Sequence, residues 1–377
     1  VNGLPAGRTP CAIDLPISQA SDVSVRKAGF DAADSRINPI DPSLTGRLDL
    51  MLGKQTAWIR PIAGQVDAPP LIFQGMLLMA TSNASLVAIR LKDGADMWEA
   101  KSNRFYSVRA APFVSNGKAG FFLANGELHL VRPTDGEILA RHPLEGEINH
   151  DAAQDGDLIY VATNMRHLYA LRGTELLYRK PLAYVPQTPL LLAHGKLYFG
   201  TAEGPIMVHD AKTGAEIARL VAPEQTSFFS PLAHVGDVVV GGAEDGHIHA
   251  FNHNTEKHVW SYKSVGPVTA PPFADTTRFF IPTPDGYVRA FSEQGEEKGT
   301  FDLGSGTVDA RPALDNRFLY ALARRSVVAF DTRKPEEGNI WWEHTFEGEA
   351  PLHVVTGDGK VIVITESRVV AFERDLR

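Results

Sequence analysis

A unit of about 40 residues recurs along this chain of 377 residues, and this repeat limits the possible folds more than any other feature. One copy contains Val87 to Trp98, VAIRLKDGADMW, where an apolar strand, an Asp-Gly turn and a short second stretch end on tryptophan. Similar stretches start at Leu130 and Val208. A further copy, Ala250 to Trp260, keeps the tryptophan but has Glu256 in place of the glycine.

A small residue followed by proline marks the start of each copy, and these positions give the number and spacing of the copies. These positions are Pro69, Pro112, Ala152 (in place of proline), Pro189, Pro231, Pro271, Pro312 and Pro351. The steps between them run from 37 to 43 residues. Each copy contains short runs of β-branched and aromatic residues between Gly, Asp and Asn, and helical periodicity is weak. Eight copies of four strands predict an all-β fold, an eight-bladed β-propeller with four-stranded antiparallel blades.

The two ends of the repeat region complement each other. The eighth copy has three strands, labelled a, b and c from the channel outward, and no sequence left for strand d. Gln55 to Pro61, QTAWIRP, resembles a lone strand d, with Trp58 in the tryptophan place. This predicts that the early strand completes the last blade and removes free sheet edges. We assign residues 51–377 to the propeller. Residues 1–50, rich in Pro, Asp, Ser and Ala without a strand pattern, form an extended leader or an arm that docks on a partner.

Charge and cysteine content narrow the class of protein. The net charge is −8, and the 37 basic residues form no run, which argues against a nucleic-acid partner. No stretch of 18 apolar residues is present, so no membrane-spanning helix is predicted. Cys11 is the only cysteine, so no internal disulfide forms, which fits the cytosol or a bacterial periplasm. A signal peptide or lipid anchor before Val1 is left open.

The pattern A-x-x-x-x-[DT]-G-x-x-x-W, complete from Ala88 to Trp98, resembles the repeat of quinoprotein-type (PQQ-repeat) propellers over about residues 55–373. That superfamily includes pyrroloquinoline-quinone dehydrogenases and BamB-type scaffolds of outer-membrane protein assembly. The dehydrogenases are longer, and many carry adjacent cysteines beside the cofactor, which Cys11 alone cannot supply. The resemblance is therefore closer to the BamB-type scaffolds. It implies a protein without cofactor or catalysis, in the periplasm or at the outer membrane, bound to a protein partner.

One histidine-rich run, Asp245 to His253, is a candidate metal site. His247 and His249 share a strand face, but zinc needs further ligands, and Asp245 and His253 lie in turns at opposite ends of that strand. We expect ordinary polar positions there and no bound metal, with a metal site as the alternative. Nucleophile-elbow, phosphate-loop and dinucleotide motifs are absent, so no catalytic residue is predicted.

The connections from strand d of one blade to strand a of the next should emerge on one face of the ring. Three of them hold aromatic residues or arginine, which are enriched in binding hot spots. The candidate partner-binding residues are Arg104, Phe105, Tyr106, Arg109, Tyr184, Phe228 and Phe229. As an alternative, Val108 and Phe229 cap the core between blades.

Polar residues at the starts of the a strands should surround the central channel. They are Asp67, Arg109, His150, Asp151, Asp309 and Arg311. Such a channel holds water or a small ligand, which leaves a quinone-dependent dehydrogenase-like enzyme or a ligand sensor as the alternative function. A third hypothesis is a subunit of a larger envelope assembly, with residues 1–50 threaded through a neighbouring protein.

Overall fold

The computed structural model of the chain describes residues 21–26, 32–37, 54–103, 106–224, 226–304, 310–315, 317–333 and 340–374. Within these ranges every regular secondary-structure element is a β-strand. No helix long and apolar enough to cross a membrane occurs in the described ranges. Eight antiparallel sheets of four strands are present, which confirms the predicted eight-bladed propeller.

A two-stranded hairpin precedes the propeller. It consists of β1 (Ser21–Val25) and β2 (Ala33–Ile37), with Val23 opposite Ser35. The expectation that residues 1–50 contain no strand is therefore wrong for this part. Polar and apolar residues alternate in Asp-Val-Ser-Val, residues 22–25, a short strand signal that the polar composition of the whole segment hides. Its role as a docking arm remains a prediction.

The next strand, β3 (Thr56–Pro61), stands alone before the first complete blade. Blades 1 to 4 are each built from four consecutive strands, a to d. Blade 1 consists of β4 (Leu71–Phe73), β5 (Met76–Thr81), β6 (Ser85–Arg90) and β7 (Asp96–Lys101). Blade 2 consists of β8 (Phe113–Ser115), β9 (Lys118–Phe122), β10 (Glu127–Val131) and β11 (Ile138–Pro143). Blade 3 consists of β12 (Ala153–Asp155), β13 (Leu158–Thr163), β14 (His167–Arg172) and β15 (Glu175–Pro181). Blade 4 consists of β16 (Leu191–Ala193), β17 (Lys196–Phe199), β18 (Ile206–Asp210) and β19 (Glu216–Leu220).

Blades 5 to 7 repeat this order, and blade 8 has three consecutive strands. Blade 5 consists of β20 (Ala233–Val235), β21 (Val238–Gly242), β22 (His247–Asn252) and β23 (Lys257–Lys263). Blade 6 consists of β24 (Phe273–Ala274), β25 (Arg278–Thr283), β26 (Tyr287–Ser292) and β27 (Glu297–Asp302). Blade 7 consists of β28 (Ala313–Asp315), β29 (Phe318–Leu322), β30 (Ser326–Asp331) and β31 (Ile340–Thr345). Blade 8 begins with β32 (Pro351–Gly357), β33 (Lys360–Thr365) and β34 (Arg368–Glu373).

The early strand β3 completes blade 8, as predicted. It pairs antiparallel with β34, and Trp58 lies opposite Ala371. The Trp58 indole N–H donates to the carbonyl oxygen of Leu91 in blade 1, at 3.0 Å. The two ends of the repeat region therefore meet in one sheet, and that sheet contacts the first blade.

Apolar side chains of the b and c strands form the core. They fall into eight buried clusters, one between each pair of neighbouring blades. At four of these interfaces, an aromatic side chain of strand d in one blade packs on a glycine in the c–d turn of the next blade. We call this contact the aromatic lock. In blade 1, the Trp98 indole N–H donates to the carbonyl oxygen of Pro133 in the c–d turn of blade 2, at 2.6 Å. A Cβ atom on Gly136 of that turn would lie 2.8 Å from the Trp98 ring, and Gly136 has a φ of +79°.

The turn therefore needs glycine both for its positive φ and for the close approach of the ring. The other locks pair Trp58 with Gly94, Tyr178 with Gly214 and Trp260 with Gly295. Small residues, Ala140, Ala218 and Gly299, take the aromatic position in blades 2, 4 and 6. Copies of the sequence motif that lack the aromatic residue therefore form blades whose contact with the next blade has no aromatic lock. All eight blades are nevertheless present.

Strand alternation divides the connections between two faces of the ring. We define the upper face as the d–a connections and b–c turns, and the lower face as the a–b and c–d turns. Hydrogen bonds join neighbouring upper connections. The Asn164 backbone N–H donates to the Glu147 carbonyl oxygen at 3.0 Å, and the Glu147 N–H donates to Asn164 Oδ1 at 2.8 Å.

Candidate functional site

Among the described loops of the ring, exposed large apolar side chains occur on one face. Thirteen large hydrophobic residues are exposed in the described part of the chain, and eight of these lie on outer strands. The other five lie in upper-face loops and are 41% to 74% exposed. This upper apolar set is Tyr106, Met165, Val221, Phe229 and Val265. No described residue of the lower-face turns belongs to the thirteen. Because these loop residues all lie on the upper face, that face is the candidate docking site.

Two of the candidate aromatic residues lie on this surface, and one does not. Tyr106 and Phe229 are both exposed. Phe228 is fully buried in the core between blades 4 and 5, with its ring centroid 6.1 Å from that of Phe251. It forms an isolated antiparallel bridge with Ala243, and successive side chains of extended backbone point to opposite sides. The inclusion of Phe228 among the partner-binding residues is therefore wrong.

The remaining candidates have mixed placements. Arg109 is exposed, and its Nη1 donates to Asn149 Oδ1 at 2.8 Å, which ties together two upper connections. Tyr184 is half-buried, with the Arg219 guanidinium 5.6 Å from its ring centroid. Arg104 and Phe105 lie outside the described residues.

Three members of the upper apolar set escaped the sequence analysis. Val221 and Val265 stand in d–a connections, beside alanine, serine and glycine. Met165 stands in a b–c turn, which emerges on the same face. A search of upper-face loops for any large apolar side chain, rather than for aromatic residues and arginine alone, would have found all three.

The central channel contains desolvated charges. Burial raises the pKa of Asp151 in blade 3, whose carboxylate accepts the Ala111 backbone N–H at 2.6 Å. Burial lowers the pKa of Arg311 in blade 7, and the charge of Asp151 partly opposes this effect. Arg311 remains accessible to water, although protein surrounds it on most sides. Asp151 and Arg311 therefore interact electrostatically, although they belong to blades 3 and 7.

Channel histidines make hydrogen bonds to the backbone. Burial lowers the pKa of His150 and of His353, which favours their neutral forms near pH 7. Nε2 of His353 lies 3.2 Å from the Val66 carbonyl oxygen. Asp67 is exposed, and Asp309 lies outside the described residues.

A cavity of about 370 Å³ opens beside these groups. Its lining includes Pro69, Phe273, Arg311, Pro312 and His353. The hydrogen bonds seen at Asp151, His150 and His353 go to backbone groups and pair no base with a nucleophile.

Eight four-stranded antiparallel blades, the last one completed by β3, define the chain as an eight-bladed β-propeller. The chain belongs to the family described as outer membrane protein assembly factor BamB. The model of that family matches residues 52–220 and 202–298.

Curated relatives carry the same description. BamB of Yersinia pestis is 25% identical over 256 residues, which cover 63% of this chain and 64% of the relative. BamB of Moranella endobia (strain PCIT) is 23% identical over 250 residues, which cover 62% of this chain and 64% of the relative. The matches span slightly less than two thirds of either relative.

Solved structures with very different names share the fold. BamB from Moraxella catarrhalis superposes with a TM-score of 0.66 at 14% identity, over 85% of this chain and 98% of that one. The computationally designed Ika8 protein gives a TM-score of 0.74 at 14% identity, over 85% and 99%. The C-terminal WD40 domain of Sif2 gives 0.67 at 12% identity, over 85% and 100%. Since a designed protein fits as well as a BamB, this likeness shows the fold alone.

Proposed function

We propose that this chain is a non-catalytic scaffold for outer-membrane protein assembly, in the bacterial periplasm or at the outer membrane, and that it docks a partner protein through its upper face. The observation that carries the proposal is the upper apolar set, five exposed side chains on one face with no counterpart among the described lower-face turns. The family description and the names of its relatives support the biological setting.

The physical basis is burial of apolar surface by the partner. Each large apolar side chain that a partner covers contributes about 1.5–3 kcal/mol before the costs of association are subtracted. Phe229 and Tyr106 offer rigid aromatic surface, and Arg109 adds a guanidinium already held by Asn149. This composition matches binding hot spots, where a few aromatic and arginine residues carry most of the affinity.

A complementation experiment tests the proposal. Val221, Phe229 and Val265 are changed together to aspartate, and the variant is expressed in the source bacterium lacking its own copy. We expect outer-membrane β-barrel proteins to fall to the level of the deletion strain, while circular dichroism shows a folded ring. The matched control changes the exposed lower-face residues Lys212 and Asn254 to aspartate and should restore normal levels. Full rescue by the upper-face variant would refute the docking face, and a deletion strain with normal barrel proteins would refute the assembly role.

The leader provides a second contact in this proposal. Residues 1–50, including the hairpin of β1 and β2, serve as an arm that binds or threads through a neighbouring subunit. Deletion of residues 1–50 retains β3, so it should spare folding and lower recovery of the partner. Unchanged assembly after the deletion would refute the binding of residues 1–50 to a neighbouring subunit.

A second candidate function, a small-ligand sensor or quinone-dependent enzyme, is favoured by the channel cavity. Its volume of about 370 Å³ falls within the range of small-molecule sites, and Arg311 presents a cation to it. Pyrroloquinoline quinone with calcium should raise the unfolding temperature if this function is present. The scaffold proposal predicts no shift and no dye-linked alcohol oxidation.

A further inference from the structure

One carboxylate and two imidazoles meet at the upper end of blade 5. The histidine-rich run that was expected to hold ordinary polar positions divides into two groups. Asp245, His247 and His249 converge, with their potential ligand atoms all within 4.8 Å of one another. His253, at the other end of β22, joins His194 and Asp237 on the lower face.

Two separations in the upper group are close to those of a tetrahedral metal site. Nε2 of His249 lies 3.0 Å from Oδ2 of Asp245, and Nδ1 of His247 lies 3.4 Å from Oδ1 of the same carboxylate. Two ligands that each bind zinc at about 2.0 Å are about 3.3 Å apart at a tetrahedral angle. Both contacts to the Asp245 carboxylate therefore have about the separation of zinc ligands, and all three potential ligand atoms lie within 4.8 Å of one another.

Burial and hydrogen bonding also fit a cation. The His249 side chain is only 4% exposed. Nδ1 of His247 is shielded from solvent and has no hydrogen-bond partner in the described part of the chain. A buried polar atom without a partner requires an explanation, and a bound ion supplies one. Nδ1 of His249 lies 3.2 Å from Nε2 of His258, the kind of outer contact that orients a metal-binding imidazole.

In the neighbouring blade 6, an arginine side chain supplies a positive charge at the equivalent positions. Asp285 and Arg289 in blade 6 occupy the places that Asp245 and His249 take in blade 5. Nη2 of Arg289 lies 2.5 Å from Oδ2 of Asp285. In blade 5 the guanidinium is replaced by an imidazole, which offers a lone pair to a cation instead of carrying a fixed charge.

We propose that Asp245, His247 and His249 bind Zn²⁺ through a carboxylate oxygen, Nδ1 and Nε2 respectively, with His258 as a positioning residue. Three protein ligands leave one position open to water or another donor. The Asp245 backbone N–H donates to Oγ1 of Thr226 at 3.2 Å, in the connection that also carries Phe229. The metal would therefore stiffen the part of the upper face next to the apolar set.

Metal titration of the untagged, chelator-stripped full chain tests this site. Zn²⁺ is titrated in competition with a chromophoric chelator, and Co²⁺ binding is followed by its visible absorption. We expect one equivalent to bind with the spectrum of a four-coordinate nitrogen–oxygen site. H249R should abolish this binding and stay folded, because it recreates the Asp285–Arg289 pair. H258A should weaken the affinity by about 10- to 100-fold, as expected when an outer contact of a metal ligand is lost.

Two matched histidine variants act as controls. His167 is the first residue of strand c in blade 3, as His247 is in blade 5, so H167A should bind metal like the unchanged protein. H194A disables the lower group and should also leave the tight site intact. If H249R does not fold, H247A takes its place. The proposal is overturned if the unchanged protein binds no stoichiometric metal, if H249R or H247A binds normally, or if only H194A loses binding.

Discussion

The two faces of the ring differ in what their loops do. Lower-face turns contribute to the aromatic locks, in which a glycine such as Gly136 lies under an aromatic ring such as that of Trp98. Upper-face loops instead leave apolar side chains, such as those of Phe229 and Val265, in solvent. The repeat motif thus reflects how the ring is built, whereas residues that differ from copy to copy on the upper face carry the candidate function. Substitutions on the lower face should therefore affect stability, and those on the upper face should affect binding.

The two faces exist only in a closed ring. Opening that ring should therefore have the largest effect on the folded state. A chain shortened through Pro61 lacks β3, so blade 8 has three strands and β34 becomes a free edge. Free edges pair with other chains, so we expect aggregation or loss of cooperative unfolding in size-exclusion chromatography and thermal melts. The control lacks only residues 1–50. A monomer that melts like the control after loss of β3 would contradict ring closure.

Loss of one aromatic lock should have the next largest effect. Trp98→Ala removes a buried ring and its hydrogen bond to Pro133, and should lower the free energy of unfolding by about 3–5 kcal/mol. Met97, its neighbour on β7, points to solvent, so Met97→Ala should change it by less than about 0.5 kcal/mol. Urea unfolding measures both. Equal effects would show that the lock adds nothing beyond ordinary surface.

A pair of glycine variants sharpens the account of the lock. Gly136 and Gly173 both have positive φ, but a Cβ at Gly173 meets nothing closer than 3.7 Å. Gly173→Ala should cost about 1–2 kcal/mol from backbone strain alone, and Gly136→Ala a further 1–3 kcal/mol, roughly, from overpacking. In the Trp98→Ala background the extra cost should disappear, as a double-mutant cycle can measure. An extra cost that persists without the ring would refute the steric explanation.

One upper-face carboxylate is structural and should show a smaller, pH-dependent effect. Partial burial opposes ionisation of Glu349, but hydrogen bonds from Thr365, Ser367 and Arg368 outweigh it and lower the pKa of Glu349 to about 2. Since an unfolded glutamate has a pKa of about 4.3, this stabilisation is complete above about pH 5 and is lost as the pH falls towards 2. Glu349→Gln should cost about 1–2 kcal/mol at pH 7, and denaturant midpoints should show the gap closing as the pH falls. A gap independent of pH would contradict the assignment.

The sequence predicted the ring well because its repeat is a property of local strand and turn chemistry. The spacing of the small-residue and proline positions, together with the lone strand at Trp58, determined the blade count and the closure. The docking face was predicted only in part. Phe228 and Phe229 are adjacent and chemically identical, and only the pairing of Phe228 with Ala243 decides which is buried. This bridge joins residues 15 positions apart that lie outside the regular strands, and composition and periodicity do not encode it.

The residues of the histidine cluster were visible in the sequence, but their geometry was not, for a related reason. Spacing placed His247 and His249 on one face of a strand, but it did not show that the turn brings Asp245 back to within 3.0 Å of His249. It also gave no sign that His258, on the next strand, reaches His249. The sequence therefore supplied the residue types, while the b–c turn and the register of two strands supplied the geometry.

Site-specific photo-cross-linking in living cells tests the central claim most directly. A photoreactive phenylalanine is placed at Phe229 or Val265 on the upper face, and at Lys212 or Asn254 on the lower face. The account predicts that the upper positions cross-link to a protein of the outer-membrane assembly machinery and that the lower positions do not. Cross-links from the lower positions alone, or equally from both faces, would contradict it.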